Sequence, residues 1–354
     1  MNKKTKHRIR TTGKTIRLHP RSRKLIAHTV IRALKNININ QQNVSANLPQ
    51  PARAVEFKKL RVLLVSAMPE EELWQTEQLI ADQFRLLTKE VVAIKAFQSF
   101  STALVQLNPD LLLVVGGDTD FSDNDLEVIR RATLQKAIWI TDSSGTSSST
   151  GRLAALFNYV FTQNMYHIPF YQHSGSSSVM YLPFAADRNL FSPKYVDEAC
   201  RCDVLLLGDA LPAGIAYLHE LSPLLSGCKL YAAGKGWEEY PGITPVSPGT
   251  ELQDYYNGAE IIIHWGQPPL RAFQIASCGA VQLAEDHSNL YAYMNPGEDI
   301  ITFHTGQELN EKLSYYRNHP ESARAVATRA LWKSTYDYSF MQMAAKLLHT
   351  VFNS

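Results

Sequence analysis

Two aspartates at the ends of apolar runs are the first side chains in this chain that could do acid–base chemistry. Asp118 ends the run LLLVVGGD (111–118), and Asp142 ends the run AIWITD (137–142). A carboxylate that follows a buried strand can act as a general base when a neighbouring group holds an acceptor hydroxyl beside it. Strand-end aspartates are also common as helix caps. We therefore treat both aspartates as candidate bases, with helix capping as the alternative.

A short glycine motif could contact phosphate. Gly234, Lys235 and Gly236 follow an apolar run. Glycines at such a place let backbone amides approach a phosphate, and the lysine adds positive charge. A tight structural turn explains the same three residues equally well. Neither G-x-x-x-x-G-K-[ST] nor G-x-G-x-x-G occurs in the chain, which argues against an ordinary P-loop or dinucleotide enzyme.

The segment GQPPLRAFQIASCGAVQLAED (266–286) carries a more informative pattern. Pro268 and Pro269 favour a helix that begins there, with Arg271 in its first turn and Gly279 as its stop. The start of a helix presents free amide groups, and a guanidinium beside them makes a site suited to a diphosphate. The alternative is a capped helix whose arginine pairs with a local acid.

The elements that must position these residues follow from the hydrophobic pattern. From Arg61 onward, short apolar runs alternate with longer amphipathic ones, which predicts parallel sheets covered by helices. A linker near 187–195 separates two such regions, so we predict two doubly wound α/β domains. The predicted strands are 61–68, 90–97, 111–118, 137–142, 158–163 and 178–184 in the first domain, and 202–210, 229–237, 259–266, 280–286 and 299–304 in the second.

Sheets of this kind bind ligands outside the carboxyl ends of their strands, so a cleft between the two domains is the expected site. The hydroxyl-rich stretch SSGTSSSTG (143–151) is predicted to be a flexible loop at the edge of this cleft. The polar residues at the strand ends are Ser66, 116–118, 142–144, 208–209, 234–236, 264–267 and 285–286.

Basic residues are concentrated near the amino end of the chain. Residues 1–60 contain 15 Lys or Arg and a single acid, Glu56, which gives them a net charge of +14. The rest contains 20 basic and 32 acidic residues, a net charge of −12. The stretch 36–52 is too polar to offset the entropy cost of folding. We predict that residues 1–56 are a largely disordered basic tail with one short helix at 22–34.

This tail has two interpretations. It can attach the protein to an anionic surface or an acidic polymer, or it can be a solvated basic extension. Specific nucleic-acid binding is not expected, because the body of the chain is acidic and does not interleave basic with aromatic residues.

Composition excludes several other classes. The longest apolar runs, such as 111–115, are far shorter than the roughly 18–20 residues that cross a bilayer. His28 and Arg32 interrupt the best candidate for a secretory signal, 25–34. Four cysteines are too few and too unevenly spaced for a disulfide framework, and no spacing of histidines indicates a metal site. The expected location is therefore the cytoplasm, with attachment to a membrane surface or to a spore as open alternatives.

Seven segments together resemble a known family. In their order and spacing they resemble the CgeB-like spore-maturation glycosyltransferases, which belong to the group-1-like, GT-B glycosyltransferases. The resemblance runs from about residue 61 to the end, is most specific after residue 157, and leaves out the basic tail. The segments are FNYVFTQN (157–164), VMYLPFAADRNLFSP (179–193), LLLGD (205–209), YAAGKGW (231–237), RAFQIASCGAVQLAED (271–286), MNPGEDIITFHTGQELNEKLSYYRNHPE (294–321) and STYDYSF (334–340).

The resemblance implies two Rossmann-like domains that face a central cleft. After the basic tail at 1–56, it implies an acceptor-side domain at 57–190, a nucleotide-sugar domain at 191–337, and a last helix at 338–354 that packs back on the acceptor-side domain. It also implies sugar transfer from a nucleoside-diphosphate-sugar donor without a bound metal or another cofactor. The acceptor would be a glycan, a polysaccharide or a protein.

The resemblance also implies roles for individual residues. Asp142 matches an aspartate that is common in the family at the end of that strand, which makes it the first choice of base ahead of Asp118. Arg271 would stabilise the departing nucleoside diphosphate. The donor phosphates and ribose would contact the group formed by Gly208, Gly234, Lys235, Gly236, Arg271, Gln274 and Gly279.

The chain departs from the family at several positions. Gln274 stands where the family usually has the glutamate that receives the ribose hydroxyls, and an amide accepts such bonds less strongly than a carboxylate. His264 replaces a frequent asparagine, and Ser334 and Ser339 stand where His and Arg are frequent. These departures motivate an alternative hypothesis, a catalytically degenerate GT-B protein that binds a glycan or takes part in assembling a spore or cell surface.

Overall fold

The computed structural model describes residues 55–67, 70–96, 100–117, 121–141, 145–247 and 249–353, together with Arg10–Thr11 and Lys14–Thr15. The chain divides into two units, residues 1–54 and 55–354. In the first unit, the two dipeptides pair as short antiparallel strands. The rest of the predicted tail up to residue 54, including the predicted helix at 22–34, lies outside the described residues.

The first sheet of the second unit has six parallel strands. Their spatial order is β2-β1-β3-β4-β5-β6, so the direction of winding changes between β1 and β3. Strand β3 is buried along its whole length, as expected for a parallel strand that helices cover on both faces. The strands are β1 (Arg61–Ala67), β2 (Glu90–Lys95), β3 (Leu111–Gly116), β4 (Gln135–Ile140), β5 (Tyr159–Thr162) and β6 (Ser178–Tyr181).

In the described part of the first half, five helices accompany this sheet. The face with Val62 and Leu64 packs into one hydrophobic cluster, and the face with Leu63 and Val65 packs into another. Alternation along a single strand therefore supplies both halves of the core. The helices are α1 (Glu70–Leu87), α2 (Phe100–Leu107), α3 (Asp123–Arg131), α4 (Ser148–Ala154) and α5 (Ile168–His173).

The second sheet also has six parallel strands. Their order is β9-β8-β7-β10-β11-β12, the dinucleotide-fold order, in which the winding changes between β7 and β10. The strands are β7 (Cys202–Leu207), β8 (Leu230–Ala233), β9 (Ile243–Pro245), β10 (Ala259–His264), β11 (Gln282–Glu285) and β12 (Ile301–Phe303).

Six helices lie in the second half of the chain within the ranges that the structure describes. They are α6 (Pro212–Leu225), α7 (Gln253–Gly258), α8 (Pro269–Ser277), α9 (Gly306–Asn318), α10 (Pro320–Tyr336) and α11 (Phe340–Asn353). Helix α11 returns to the first sheet and packs on α1, where Phe340 and Leu347 share one cluster with Val62 and Ile80. Its end also binds the start of the unit, because the Val55 N–H donates to Asn353 Oδ1 (3.3 Å).

The carboxyl edges of the two sheets face one another. Asn289, four residues beyond β11, accepts a hydrogen bond from the Met165 N–H at its Oδ1 (3.0 Å), and Met165 lies just beyond β5. The Tyr181 hydroxyl at the end of β6 donates to the Asn289 carbonyl (2.8 Å). The edges at which both domains are expected to bind ligands therefore lie on the two sides of one cleft.

The predicted α/β architecture with two doubly wound sheets is confirmed, and every predicted strand is present. Strand β9 was missed because its three residues, Ile243–Pro245, are flanked by turn residues and include a proline. The prediction of a flexible loop at 143–151 was wrong for its second half: α4 begins at Ser148, and Ser147 caps it by accepting from the Thr150 N–H (3.1 Å). Among the described residues, no helix is long and apolar enough to cross a membrane.

Candidate functional site

Arg271 lies in the first turn of α8, at the carboxyl edge of the second sheet, and its guanidinium donates hydrogen bonds to neutral groups. Its Nη1 donates to the Tyr256 hydroxyl (2.6 Å) and to Gln274 Oε1 (3.1 Å). Its Nε donates to Gln267 Oε1 (3.3 Å). In the part of the chain that the structure describes, no carboxylate lies within ion-pair distance of it. A half-buried positive charge without a counter-charge favours an anionic ligand.

The start of α8 supplies fewer amide donors than the sequence predicts. Pro268 is the cap residue and Pro269 the first helical residue, and neither has an N–H group. The Arg271 N–H donates back to the Pro268 carbonyl (2.9 Å). The positive character of this helix start therefore comes mainly from the guanidinium.

Tyr256 holds the guanidinium of Arg271 in position. Its side chain is fully buried in α7, and its ring stacks on Phe191 at 6.1 Å between centroids. Burial raises the pKa of Tyr256 to about 12, against the opposing effect of the Arg271 charge. The hydroxyl therefore stays neutral and accepts the guanidinium bond without cancelling its charge.

His264 ends β10 behind the same site. It is buried, and its Nε2 donates to Gln282 Oε1 (2.9 Å), while Gln282 Nε2 donates to the Ala272 carbonyl (3.0 Å). Burial lowers the pKa of His264 to about 4, and the nearby charge of Arg271 acts in the same direction. The imidazole is therefore a neutral, hydrogen-bonded core group.

Glu285, at the end of β11, presents an oriented carboxylate on the same edge. Its Oε2 accepts from the Gly266 N–H (2.8 Å), and its Oε1 accepts from the Tyr217 hydroxyl (2.7 Å). Burial and the bond to this carboxylate raise the pKa of Tyr217 to about 12. Each oxygen keeps a second lone pair, so the carboxylate can also accept hydrogen bonds from hydroxyl groups of a ligand.

The predicted glycine turn is packed tightly against its neighbours. Gly208 has φ +150°, and a Cβ there would lie 2.6 Å from the Trp265 indole. Gly234 has φ +148°, and a Cβ there would lie 2.1 Å from the Gly208 carbonyl oxygen. Because of these contacts, packing alone accounts for both glycines.

Lys235 points into solvent, and the groups around it are already hydrogen-bonded. Its N–H donates to Asp209 Oδ1 (2.9 Å), and its carbonyl accepts from the Ala210 N–H (2.8 Å). Gly236 has φ +85° and begins a single helical turn. The amides that a phosphate would need here are therefore partly taken, because the Asp209 carboxylate already accepts one of them.

The remaining predicted site residues lie elsewhere. Gly279 ends α8 with φ +70° and faces Leu331, so the structure places it at the opposite end of the helix from Arg271. Asp118 and Asp142 lie outside the described residues, directly after Gly117 and Thr141 in the sequence. The structure thus brings together Arg271 and Gln274, and separately Gly208 with the 234–236 turn.

Sequence reasoning missed Tyr217, Tyr256 and Asn289. Glu285 could be found, because it is an acid at the end of a predicted strand, but its two donors could not. Tyr256 and Tyr217 lie on helices with no motif around them, and only the packing of those helices brings them to the site.

Neither of two cavities in the described part contains these residues. One, of about 610 Å³, lies at the amino edge of the second sheet between Lys194, Arg201 and Glu260. The other, of about 520 Å³, lies along the edge strand β2 and α2. Among the described residues, no group of three or more His, Cys, Asp or Glu side chains is arranged to hold a metal ion.

Comparisons of sequence identify relatives of this chain. Residues 216–349 match the family model described as "Glycosyl transferase-like". The spore protein CgeB of Bacillus subtilis (strain 168) is 25% identical, over 78% of this chain and 91% of that protein. The predicted resemblance to CgeB-like glycosyltransferases is confirmed.

Solved structures show the same fold. A sucrose-phosphate synthase from Thermosynechococcus elongatus matches with a TM-score of 0.59 at 10% identity, over 82% of this chain and 98% of that one. A glycosyltransferase from Rickettsia africae ESF-5 matches with a TM-score of 0.57 at 11% identity, over 83% and 98%. HepE from Anabaena, in complex with UDP and glucose, matches with a TM-score of 0.53 at 12% identity, over 82% and 99%. The predicted GT-B fold is confirmed.

Proposed function

Since the chain resembles the CgeB-like glycosyltransferases and has the GT-B fold, we propose that it transfers a sugar from a nucleoside diphosphate to an acceptor. The observation that carries this proposal is the half-buried guanidinium of Arg271, whose hydrogen-bond partners among the described residues are all neutral. It lies on the carboxyl edge of the second sheet, beside the strand pair β7 and β10 where the winding changes. HepE, a structural neighbour, binds UDP and glucose, which supports a nucleotide-sugar donor.

Arg271 stabilises the leaving group in this proposal. Negative charge grows on the diphosphate as the bond to the sugar breaks, and a guanidinium fixed in advance stabilises that charge without having to reorganise. Tyr256 and Gln267 hold the guanidinium in place, and neither contributes a competing negative charge. We propose that this charge acts in place of a metal ion.

In this proposal, the side-chain oxygens of Gln274 and Glu285 accept hydrogen bonds from hydroxyl groups of the donor. Gln274 Oε1 accepts from Arg271, so its amide lies beside the guanidinium, and we assign it to a ribose hydroxyl of the donor. Glu285 is held by donors from two different elements, so its orientation does not depend on the ligand. We assign its remaining lone pairs to hydroxyls of the donor. Gly208 and the 234–236 turn then form the neighbouring wall.

We assign the general base to Asp142, with Asp118 as the second choice, because both follow strands of the first sheet at the edge that faces the cleft. The acceptor class is a glycan, a polysaccharide or a protein. The relative from Bacillus subtilis is a spore protein, which supports an acceptor on a spore surface. We propose that the basic tail attaches the enzyme to an anionic surface.

A nucleotide panel followed by turnover tests the proposal. UDP, GDP, ADP and dTDP are first compared by thermal shift, because a ligand that binds the native state stabilises it by mass action. The sugar conjugates of the best nucleotide are then incubated with candidate acceptors, and nucleotide release is measured for wild type, Arg271→Ala and Asp142→Asn. Release by wild type that both variants lose supports the proposal. Absence of binding by all four nucleotides would overturn it, and binding without turnover would favour the degenerate, glycan-binding alternative.

A further inference from the structure

The two domains are joined at the rim of the cleft by a small polar clasp. We define the clasp as Asn164, Met165 and Tyr166 from the first domain and His287, Ser288 and Asn289 from the second. The first set follows β5, and the second set follows β11. Both sets therefore come directly from the carboxyl edges that face each other.

Asn289 is the centre of the clasp. Its side chain is fully buried, and both ends of its amide bind the first domain. Oδ1 accepts from the Met165 N–H (3.0 Å), and Nδ2 donates to Asn164 Oδ1 (3.2 Å). Its main-chain carbonyl accepts from the Tyr181 hydroxyl (2.8 Å). Three bonds from one residue thus fix three points of the opposite domain.

Both turns of the clasp are held rigid before they meet. Asn164 Oδ1 accepts from the Tyr166 N–H (3.1 Å) and so caps the turn Met165–His167. His287 Nδ1 accepts from the Asn289 N–H (3.2 Å) and caps the turn Ser288–Leu290. Two preformed turns can dock in only one register, because a shift by one residue would leave the buried amide without partners.

The outer contact of the clasp is exposed. Ser288 Oγ donates to the Tyr166 hydroxyl (2.6 Å), and the Tyr166 and His287 rings meet edge to face at 5.9 Å. Tyr166 is 64% exposed, so water can replace this contact at little cost. The outer pair therefore provides a matched control for the buried amide.

The clasp does not by itself hold the domains together. One hydrophobic cluster runs through both, with Trp139 and Phe184 from the first half meeting Phe273, Met294 and the last helix. Removal of the Asn289 amide would leave this cluster intact. The clasp can therefore set the angle between the domains while the cluster keeps them associated.

We propose that Asn289 is a positioning residue that fixes the angle between the two sheets across the cleft. It acts through the segment 285–289, which begins with the oriented carboxylate of Glu285. Its effect on turnover rests on the proposed glycosyl transfer, whereas its effect on the domain angle does not. A correct angle brings the groups around Arg271 and Glu285 to the acceptor side, and a distribution of angles would lower the fraction of productive complexes.

The test uses the full chain with spin labels on unnatural amino acids at Arg131 and Arg324, one exposed position in each half. Distance distributions between the labels are compared for wild type, Asn289→Ala, Asn289→Asp and the control Ser288→Ala. We expect both Asn289 variants to broaden or shift the distribution, because the aspartate keeps the acceptor for Met165 but sets an oxygen against Asn164 Oδ1. We expect the control to match wild type.

Binding and turnover provide the second readout. The nucleoside diphosphate of the panel that binds wild type most tightly should bind Asn289→Ala within about twofold, because its proposed contacts lie in the second domain alone, whereas kcat should fall by about tenfold or more. An unchanged distance distribution in Asn289→Ala, or an equal change in Ser288→Ala, would overturn the proposal even if turnover falls. If wild type turns over no nucleotide sugar, the proposed function fails and the distances alone decide the role of Asn289.

Discussion

Two regions on the carboxyl edge of the second sheet were predicted to contact phosphate, and they differ in what surrounds their positive charge. In the turn 234–236, Gly234 is required by packing, and the Lys235 side chain is exposed to solvent. The start of α8 has no glycine in its first turn, and its arginine is half-buried among neutral oxygens. A glycine-rich turn can therefore be fully explained without a ligand. A half-buried positive charge without a counter-charge, in a low-dielectric environment, is the better indicator of an anion site.

The largest effect is expected in the glycine turn, on stability. Gly234→Ala places a Cβ against the Gly208 carbonyl at a φ that L residues rarely adopt, so it should lower the free energy of unfolding by about 3 kcal/mol or more. Gly242→Ala is the matched control, since it has φ +88° with nothing within 4 Å, and should cost only about 1–2 kcal/mol. Urea unfolding measures both. Equal losses would mean that the close approach to Gly208 does not constrain the turn.

The next prediction concerns the stability of the protein, which should depend on pH through His264. Its pKa is about 4 in the folded chain against 6.5 ordinarily, so the unfolded chain binds a proton between these values that the folded chain does not. Stability should therefore fall as the pH falls from 6.5 to 4, by about 3 kcal/mol from this residue. Unfolding curves at pH 7 and pH 4 for wild type and His264→Asn measure the difference. A loss of stability just as large in the variant would assign it to other groups.

The two predicted phosphate contacts can be compared directly by binding. Arg271→Ala should weaken nucleoside-diphosphate binding by about 10- to 100-fold, because charge-assisted hydrogen bonds contribute roughly 1.5–3 kcal/mol. Lys235→Ala should change it by less than about threefold, because the exposed lysine is screened by solvent. Calorimetric titration measures both variants. A larger loss in Lys235→Ala would reverse the comparison between the two regions.

The smallest expected effect is on ligand affinity, and it tests the role of charge at the start of α8. Gln274→Glu would place a carboxylate about where the amide oxygen now lies, 3.1 Å from Arg271 Nη1, and offset the guanidinium charge. Affinity for the nucleoside diphosphate should fall by about 3- to 10-fold, the scale of a partly buried ion pair. Affinity for the uncharged nucleoside should not fall, because a carboxylate accepts ribose hydroxyls more strongly than an amide. If both affinities fall together, the glutamine is required for shape and not for its neutrality.

Much of the fold could be predicted because its signals are local. The buried runs at 61–67, 111–116 and 202–207 are read as parallel strands from hydrophobicity alone, and Pro269 marks a helix start directly. Strand β9 was missed because three residues that include a proline show no hydrophobic pattern typical of a strand. Helix α4 was not predicted because serine and threonine are typical of loops. Here Ser147 instead caps a helix.

The sequence by itself determined the parallel sheets, the place of Arg271 at a helix start and the resemblance to a glycosyltransferase family, since each depends on neighbours along the chain. Only the tertiary structure decided which charges are buried. Tyr256, Gln267 and Gln274 rather than an acid surround Arg271, whereas the Lys235 side chain is exposed to solvent. The orientation of Glu285 and the docking of Asn289 were decided in the same way. The partners in these contacts are brought together by the packing of separate strands and helices, and hydrogen bonds and electrostatic interactions depend on distances in space.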